Sequence, residues 1–449
     1  MRRITKRFIS VMAAAAMVFG LAACGSDNKN EDSTASKNSS ENQTAAGSNA
    51  AESISFDQSE FENAVVTIDN IEIPEGTRIV ALGEATHGNK EFQHLKLELF
   101  KILVEKTNVR ALILEGDVGG CEIANVYIQG GEGTPEEVTR HLGYGIYRTD
   151  EMCELIKWMH DHNQTAAEED KVRLYGMDMQ YDEDSIASIN SFYGKVAPDK
   201  QSKFSSKMAE YLGDSYDAYD ASKYDDINAL MDEIQADLDS NKDAYAEKTS
   251  AAEVEIIRNI AENIKYFISY CVKENETNKA RDTYMKKNVD WILEVEEREH
   301  NGAVMIGCHN GHMTENQSSM NTFLGVYLNE EYGDSYYTIG TDFYNTKVNL
   351  PKEDYSGRFD LDLCSDDPLA LAVKDMPENK YFIDFGKIDE NTDLGKAVNG
   401  KMPTGSVGEY YTAGFENMKP YYQLTFAPTE MYDAMILFYE VNPIVVWDK

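Results

Sequence analysis

The chain has 449 residues, 42% hydrophobic and 10% aromatic, which is enough apolar material for a sizeable core and too much for a wholly disordered protein. Asp and Glu number 79 against 42 Lys and Arg, a formal net charge of −37, and such an excess repels phosphate and so argues against nucleic acid or anionic lipid as partners. Six cysteines with no CxxC pair argue against a disulfide-stapled scaffold and against a zinc ribbon.

Residues 1–23 run from a basic patch (Arg2, Arg3, Lys6, Arg7) through an apolar stretch to small residues, the layout of a secretory signal peptide. The ending Leu21-Ala22-Ala23-Cys24 resembles a bacterial lipobox, so Cys24 is the expected lipidation site and first mature residue. An ordinary signal with a chance cysteine is the competing reading. Residues 24–52 are Ser-, Asn-, Ala- and Asp-rich without large apolar side chains, so they read as a disordered tether. No other apolar run approaches the roughly 20 residues that cross a bilayer. The expected location is therefore extracytoplasmic, held to the bacterial cell membrane by lipid alone.

Residues 53–449 form the expected folded part. RIVALGEATHG is an apolar run that breaks at Glu84 and ends in His87. An amphipathic helix follows, with Phe92, Leu95, Leu99, Ile102 and Leu103 near a 3.6-residue period. RALILEGD breaks at Glu115 and Asp117. A second helix carries Leu155, Ile156 and Met159 as its stripe, and the run VRLYGMDMQ after it ends at Asp178 and Gln180. From about residue 197 to 300 the pattern turns helical and acidic, which reads as a helical cap inserted before the fourth run, AVMIGCHNGHM, with His309 and His312. A helix in MNTFLGVYLNEEYG and strands in SYYTIGTDF, NKYFIDFGKI and YDAMILFYEV complete the chain. Strand, helix and strand at this spacing predict an α/β fold, a mostly parallel sheet flanked by helices.

Open α/β sheets bind ligands outside the carboxyl ends of their strands, where this chain places two glutamates, two aspartates and three of its eight histidines. A single strand-end carboxylate is ordinarily a cap or turn residue, but four strand ends that all carry ionisable groups point to an active site. His94, His141, His160, His162 and His300 take the plainer reading of surface or helix-packing residues. No GxGxxG or GxxxxGK[ST] supports nucleotide cradling.

Together GEATHG, ILEGD, YGMDMQ, RDTYMKKN, GCHNGHM, the following LGVYLNEEYGDSYYTIGTDF and the late MYDAMILF resemble the erythromycin esterase family, in its order, from about Ile79 to Phe438. The resemblance implies an α/β fold with helical decoration, hydrolysis of a macrolactone or other carboxylic ester by activated water, and a place in macrolide resistance. It places the general base on His87 with Glu84 beside it, the strand-end carboxylate on Glu115 and the histidine pair on His309 and His312. Lys96, Asp178 and Arg281 become substrate-binding candidates, Lys96 standing where some members have an arginine.

Histidine, with an unperturbed pKa of about 6.5, suits base catalysis at neutral pH. A carboxylate from Glu84 or Glu115 would orient the ring of His87, while His309, His312 or the amides of Ala85 and Thr86 would serve the tetrahedral intermediate. Three alternatives stand beside this reading: nucleophilic attack by Cys308 or Thr86, a zinc or manganese ion on the glutamates and histidines, and a binding module without turnover. No cofactor is expected on the main reading, and the partner is a small-molecule ester.

Overall fold

The computed structural model describes residues 55–212, 221–272, 277–300, 302–316 and 323–447. The expected signal peptide, Cys24 and the tether lie outside the described residues. Among the described residues nine strands make one mixed sheet, in the order β1 (Val65–Val66), β8 (Lys380–Asp384), β11 (Ala434–Val441), β6 (Tyr336–Pro351), β2 (Ile79–Glu84), β5 (Val304–His309), β3 (Ala111–Asp117) and β4 (Arg173–Asp178), with β7 (Arg358–Cys364) paired to the far half of β6. From β11 to β4 all neighbours are parallel, whereas β8, β1 and β7 pair antiparallel. Two short strands, β9 (Met402–Gly405) and β10 (Gln423–Phe426), form a separate ribbon.

The central strands are apolar on both faces because helices cover both. Val80 and Leu82 of β2 and Leu112 and Leu114 of β3 pack into one core with α1 (Lys90–Lys106), α2 (Val118–Ile128) and α3 (Asp150–Asn163). The alternate residues, Ile79, Ala81, Ala111 and Ile113, face a second core that takes Met285 and Val289 of α8 (Thr277–Glu299) and Leu324 and Leu328 of α9 (Leu324–Tyr332). The mostly parallel, helix-flanked sheet agrees with the reading of the sequence.

Between β4 and β5 the chain forms α4 (Glu183–Val196), α5 (Pro198–Tyr211), α6 (Tyr224–Ser240) and α7 (Ala251–Val272) before it returns along α8. These helices share an apolar cluster of their own, built from residues such as Ile189, Phe192, Phe204, Met231, Ile234 and Ile264. The helical block therefore starts at α4, earlier than the acidic composition suggests, because α4 buries its stripe against α5 and α6. Its last helix is bolted to the sheet: the fully buried Glu296 accepts from Arg173 Nε at 2.7 Å and from Tyr175 Oη at 2.7 Å. Removing one partner of a buried ion pair leaves the other charge uncompensated. Glu296→Ala is expected to cost about 3–5 kcal/mol in urea unfolding, and a loss below about 1 kcal/mol would show that α8 does not depend on this contact.

Candidate functional site

Glu84 ends β2, Glu115 lies two residues before the end of β3, Asp178 ends β4 and His309 ends β5. The parallel register sets Glu84 beside His309 and Asp117 beside Asp178, so the strand-end groups gather at one edge of one sheet. Gly83 permits the final approach: a Cβ there would stand 2.1 Å from Asn310 Oδ1 and 2.6 Å from Met313 Sδ, so only glycine lets the turn after β5 close onto β2. The rings of His87 and His309 then lie 4.9 Å apart.

Glu84 is 1% exposed and is shared by two partners. Lys96 Nζ donates to its Oε2 at 2.5 Å, and His87 Nδ1 lies 2.7 Å from its Oε1. Burial works against the carboxylate, but the Lys96 ammonium and the His87 contact hold its pKa down at about 2. An ionised Glu84 accepts the Nδ1 proton of His87, so Nε2 is the ring nitrogen left to take a proton. Burial opposes charge on this ring, yet Glu84, Glu115 and Glu409 together raise its pKa above the usual histidine value.

Its neighbour behaves oppositely. His309 caps the short helix after β5, its Nδ1 accepting from Gly311 N–H at 3.1 Å, and its Nε2 lies 3.3 Å from the Val407 carbonyl. Both contacts are those of a neutral ring with its proton on Nε2. Burial and the nearby His87 push its pKa down to about 4. His309 is thus a neutral donor beside the more basic His87.

The third histidine belongs to a charged cluster under the helical block. Its Nδ1 is 2.8 Å from Asp282 Oδ1, and its Nε2 is 3.2 Å from Glu115 Oε1 and 2.7 Å from Arg281 Nη1. Burial and Arg281 oppose charge on His312, while Asp282 and Glu115 overcome them and raise its pKa to about 10. Arg281 Nη2 donates at 2.7 Å both to Glu115 Oε1 and to Asp178 Oδ2. The second oxygen of Glu115 accepts the His309 backbone N–H at 2.8 Å, and Tyr144 Oη donates to Asp178. Burial would raise the pKa of Glu115, but His312 and Arg281 hold it well below the carboxylate range.

All five expected catalytic residues are therefore brought together, with three amendments around them. Lys96, expected to meet substrate, is 1% exposed and its ammonium is spent on Glu84 and on Gln93 Oε1 at 3.2 Å, so it acts through Glu84. Asp178 and Arg281 are buried and satisfy each other, forming the wall of the site rather than an open recognition surface. The Ala85 amide is committed to Thr341 Oγ1 at 2.9 Å and so is not free for an oxyanion. Cys308 is fully buried in the core, where burial pushes its thiol well above the ordinary range, and the Thr86 hydroxyl is buried and accepts from Gly88 N–H. Neither has the exposure or activation of a nucleophile.

Asp282, not anticipated from the sequence, orients His312 and also accepts the Leu324 N–H at 2.9 Å, which fixes the start of α9. Its only signal was its place beside Arg281 in the RDTYMKKN segment. Among the described residues no group of three or more His, Cys, Asp or Glu is arranged to hold a metal ion. The cause is visible in the contacts: Lys96 and Arg281 already occupy the carboxylate oxygens that a zinc or manganese ion would use.

Comparison with known proteins adds an independent line. A family model described as erythromycin esterase matches residues 104–441, a stretch that includes Glu115, Asp178, Arg281, His309 and His312 and begins after Glu84, His87 and Lys96. A protein named erythromycin esterase type II from Escherichia coli is 25% identical over 353 residues, which cover 70% of this chain and 82% of that protein. In fold, the chain is similar to a Bacillus cereus protein at a TM-score of 0.71, 22% identity and coverage of 88% and 100% of the two chains. It is also similar to a mutant of the erythromycin esterase EreC in an open conformation, at a TM-score of 0.59, 14% identity and coverage of 84% and 93%.

The three rings should be distinguishable in solution. In NMR titration of ring-labelled histidine, His87 is expected to titrate above 6.5, His309 near 4 and His312 near 10. A His309 that titrates near 6.5, or a His87 below it, would contradict this electrostatic ordering.

Proposed function

From the premise that the chain belongs to the erythromycin esterase family, we propose that it hydrolyses a carboxylic ester or lactone with water activated by His87. The observation that carries this reading is the Glu84–His87 contact at 2.7 Å, with the ring 14% exposed at the open edge of the sheet. Glu84 holds Nδ1–H, so Nε2 takes the proton of a water as that water attacks the ester carbonyl. The imidazolium formed is stabilised by the ionised Glu84 and Glu115, which is the purpose of keeping two carboxylates charged in a buried place. The donor for the negative tetrahedral intermediate is His309, whose Nε2–H leaves its long 3.3 Å contact with the Val407 carbonyl, whereas both ring nitrogens of His312 stay held by Asp282, Glu115 and Arg281. Collapse of that intermediate expels the alkoxide, which recovers the proton from His87.

A macrolide lactone is the first substrate to try, because the Escherichia coli relative carries that activity in its name. A mass-spectrometric screen of macrolides and glycan esters for the gain of one water would identify the substrate. With that substrate, His87→Ala should lower the rate about 10²–10⁴-fold, the usual worth of general acid–base catalysis, and leave the fold intact. Glu115→Gln should give a related loss and Cys308→Ala much less. Activity that survives EDTA accords with water activation by histidine, whereas loss to EDTA and restoration by zinc or manganese would turn the same side chains into ligands. A covalent adduct on Cys308 or Thr86 in quenched intact mass would overturn the water mechanism.

The same proposal places the enzyme outside the cytoplasm, tethered by a lipid on Cys24. No helix among the described residues is long and apolar enough to cross a membrane. Cys24→Ala should move the protein from the detergent phase to the aqueous phase, and unchanged partitioning would contradict the anchor.

A further inference from the structure

Above His87 two segments meet, and a third comes near enough to feel their charge. The far half of β6 runs beside the His87 loop, with Asn349 N–H donating to Gly88 O at 3.1 Å. Residues 406–411 cross over the same loop: Val407 N–H donates to Ala85 O at 2.8 Å, and Tyr411 N–H to Pro351 O at 2.8 Å. Between these two anchors sits Glu409. The β6–β7 hairpin brings Tyr355 to it, and Tyr355 Oη donates to Glu409 Oε1 at 3.2 Å. The third segment follows β4, where Tyr181 packs edge-on against Tyr144, the residue whose hydroxyl reaches Asp178, with ring centres 5.6 Å apart.

Two features set this rim apart from ordinary surface. Tyr181 and Tyr355 are 45% and 42% exposed, and among the described Phe, Tyr and Trp rings only Phe359 is exposed to a like degree. Tyr355 also holds φ at +52°, a left-handed conformation that a bulky residue adopts rarely and that clusters at ligand clamps. The electrostatics agree with the geometry, since Glu409 adds to the field on Tyr181, on Tyr355 and on His87.

Exposed phenol rings next to a carboxylate attract a cation twice, through the ring faces and through the charge, and they stack on a flat ring. The same carboxylate repels an anion. We infer that Tyr181, Tyr355 and Glu409 form a rim subsite that receives a flat ring bearing positive charge, and that this subsite sets which esters reach His87. The inference rests on the hydrolase reading of the cleft for its purpose, but not for its test.

Three probes without an ester separate the two claims: benzyltrimethylammonium, benzyl alcohol and phenylacetate, titrated into the whole protein by calorimetry. The cation should bind about tenfold more tightly than the neutral alcohol, within the range of cation–π attraction, and phenylacetate should bind most weakly. Glu409→Gln should compress the spread to about twofold. Tyr181→Ala and Tyr355→Asn, the latter chosen because asparagine accepts the left-handed backbone, should each weaken cation binding about threefold or more, with thermal melts confirming the fold. Equal affinity for alcohol and cation, an unchanged spread in Glu409→Gln, or no binding of any probe would overturn the subsite. An absence of esterase turnover would instead overturn the hydrolase reading and leave this result standing.

Discussion

The site depends on Glu84, a carboxylate almost without solvent that must stay charged. A lone ion in such a place would neutralise itself, and burial alone would raise its pKa. Lys96 prevents this from one side, and His87 uses the resulting charge from the other. The consequence is a division of labour along one hydrogen-bonded line: a helix-borne ammonium fixes the carboxylate, the carboxylate fixes the tautomer of the histidine, and the second ring nitrogen is left to take a proton. A lysine suits this hidden task, because a compact ammonium can satisfy one carboxylate oxygen and one amide oxygen without the planar fork that open recognition would need.

The same rule of compensated charge explains why three neighbouring histidines differ. His309 has backbone partners that require a neutral ring, His87 has one carboxylate in contact, and His312 has two carboxylates opposed by a guanidinium. Two of the groups that settle His312, Arg281 and Asp282, come from α8, the helix that returns from the helical block. The block is thus part of the site through its last helix. That dependence gives a physical reason for the buried Arg173–Glu296 pair, which fixes the same helix farther along its length.

Much of this was legible in the sequence. The parallel sheet showed in apolar runs separated by amphipathic helices, and Glu84, Glu115, Asp178 and His309 showed because each breaks an apolar run where an α/β sheet exposes its strand ends. Lys96 was legible as a cation but not in its task, since periodicity places it on α1 without saying that its ammonium reaches back across the strand end. Asp282 and the start of the helical block at α4 were hidden for a related reason: in helices, one polar residue facing a site looks like every other polar residue. Tyr355 and Glu409 lie in irregular segments joined only by tertiary contacts, and no local pattern announces such contacts.

The central claim is that Glu84 tunes His87 as the base, and the dependence of kcat/KM on pH tests it most directly once a substrate is in hand. His87 must be unprotonated to act, and its pKa is raised in the folded protein, so the rate should rise with pH through an apparent pKa above 6.5. In Glu84→Gln the imidazolium loses its partner, so the limb should move to lower pH while the maximum rate falls. A limb that stays in place in that variant, or one that lies in the carboxylate range in the wild type, would contradict the account.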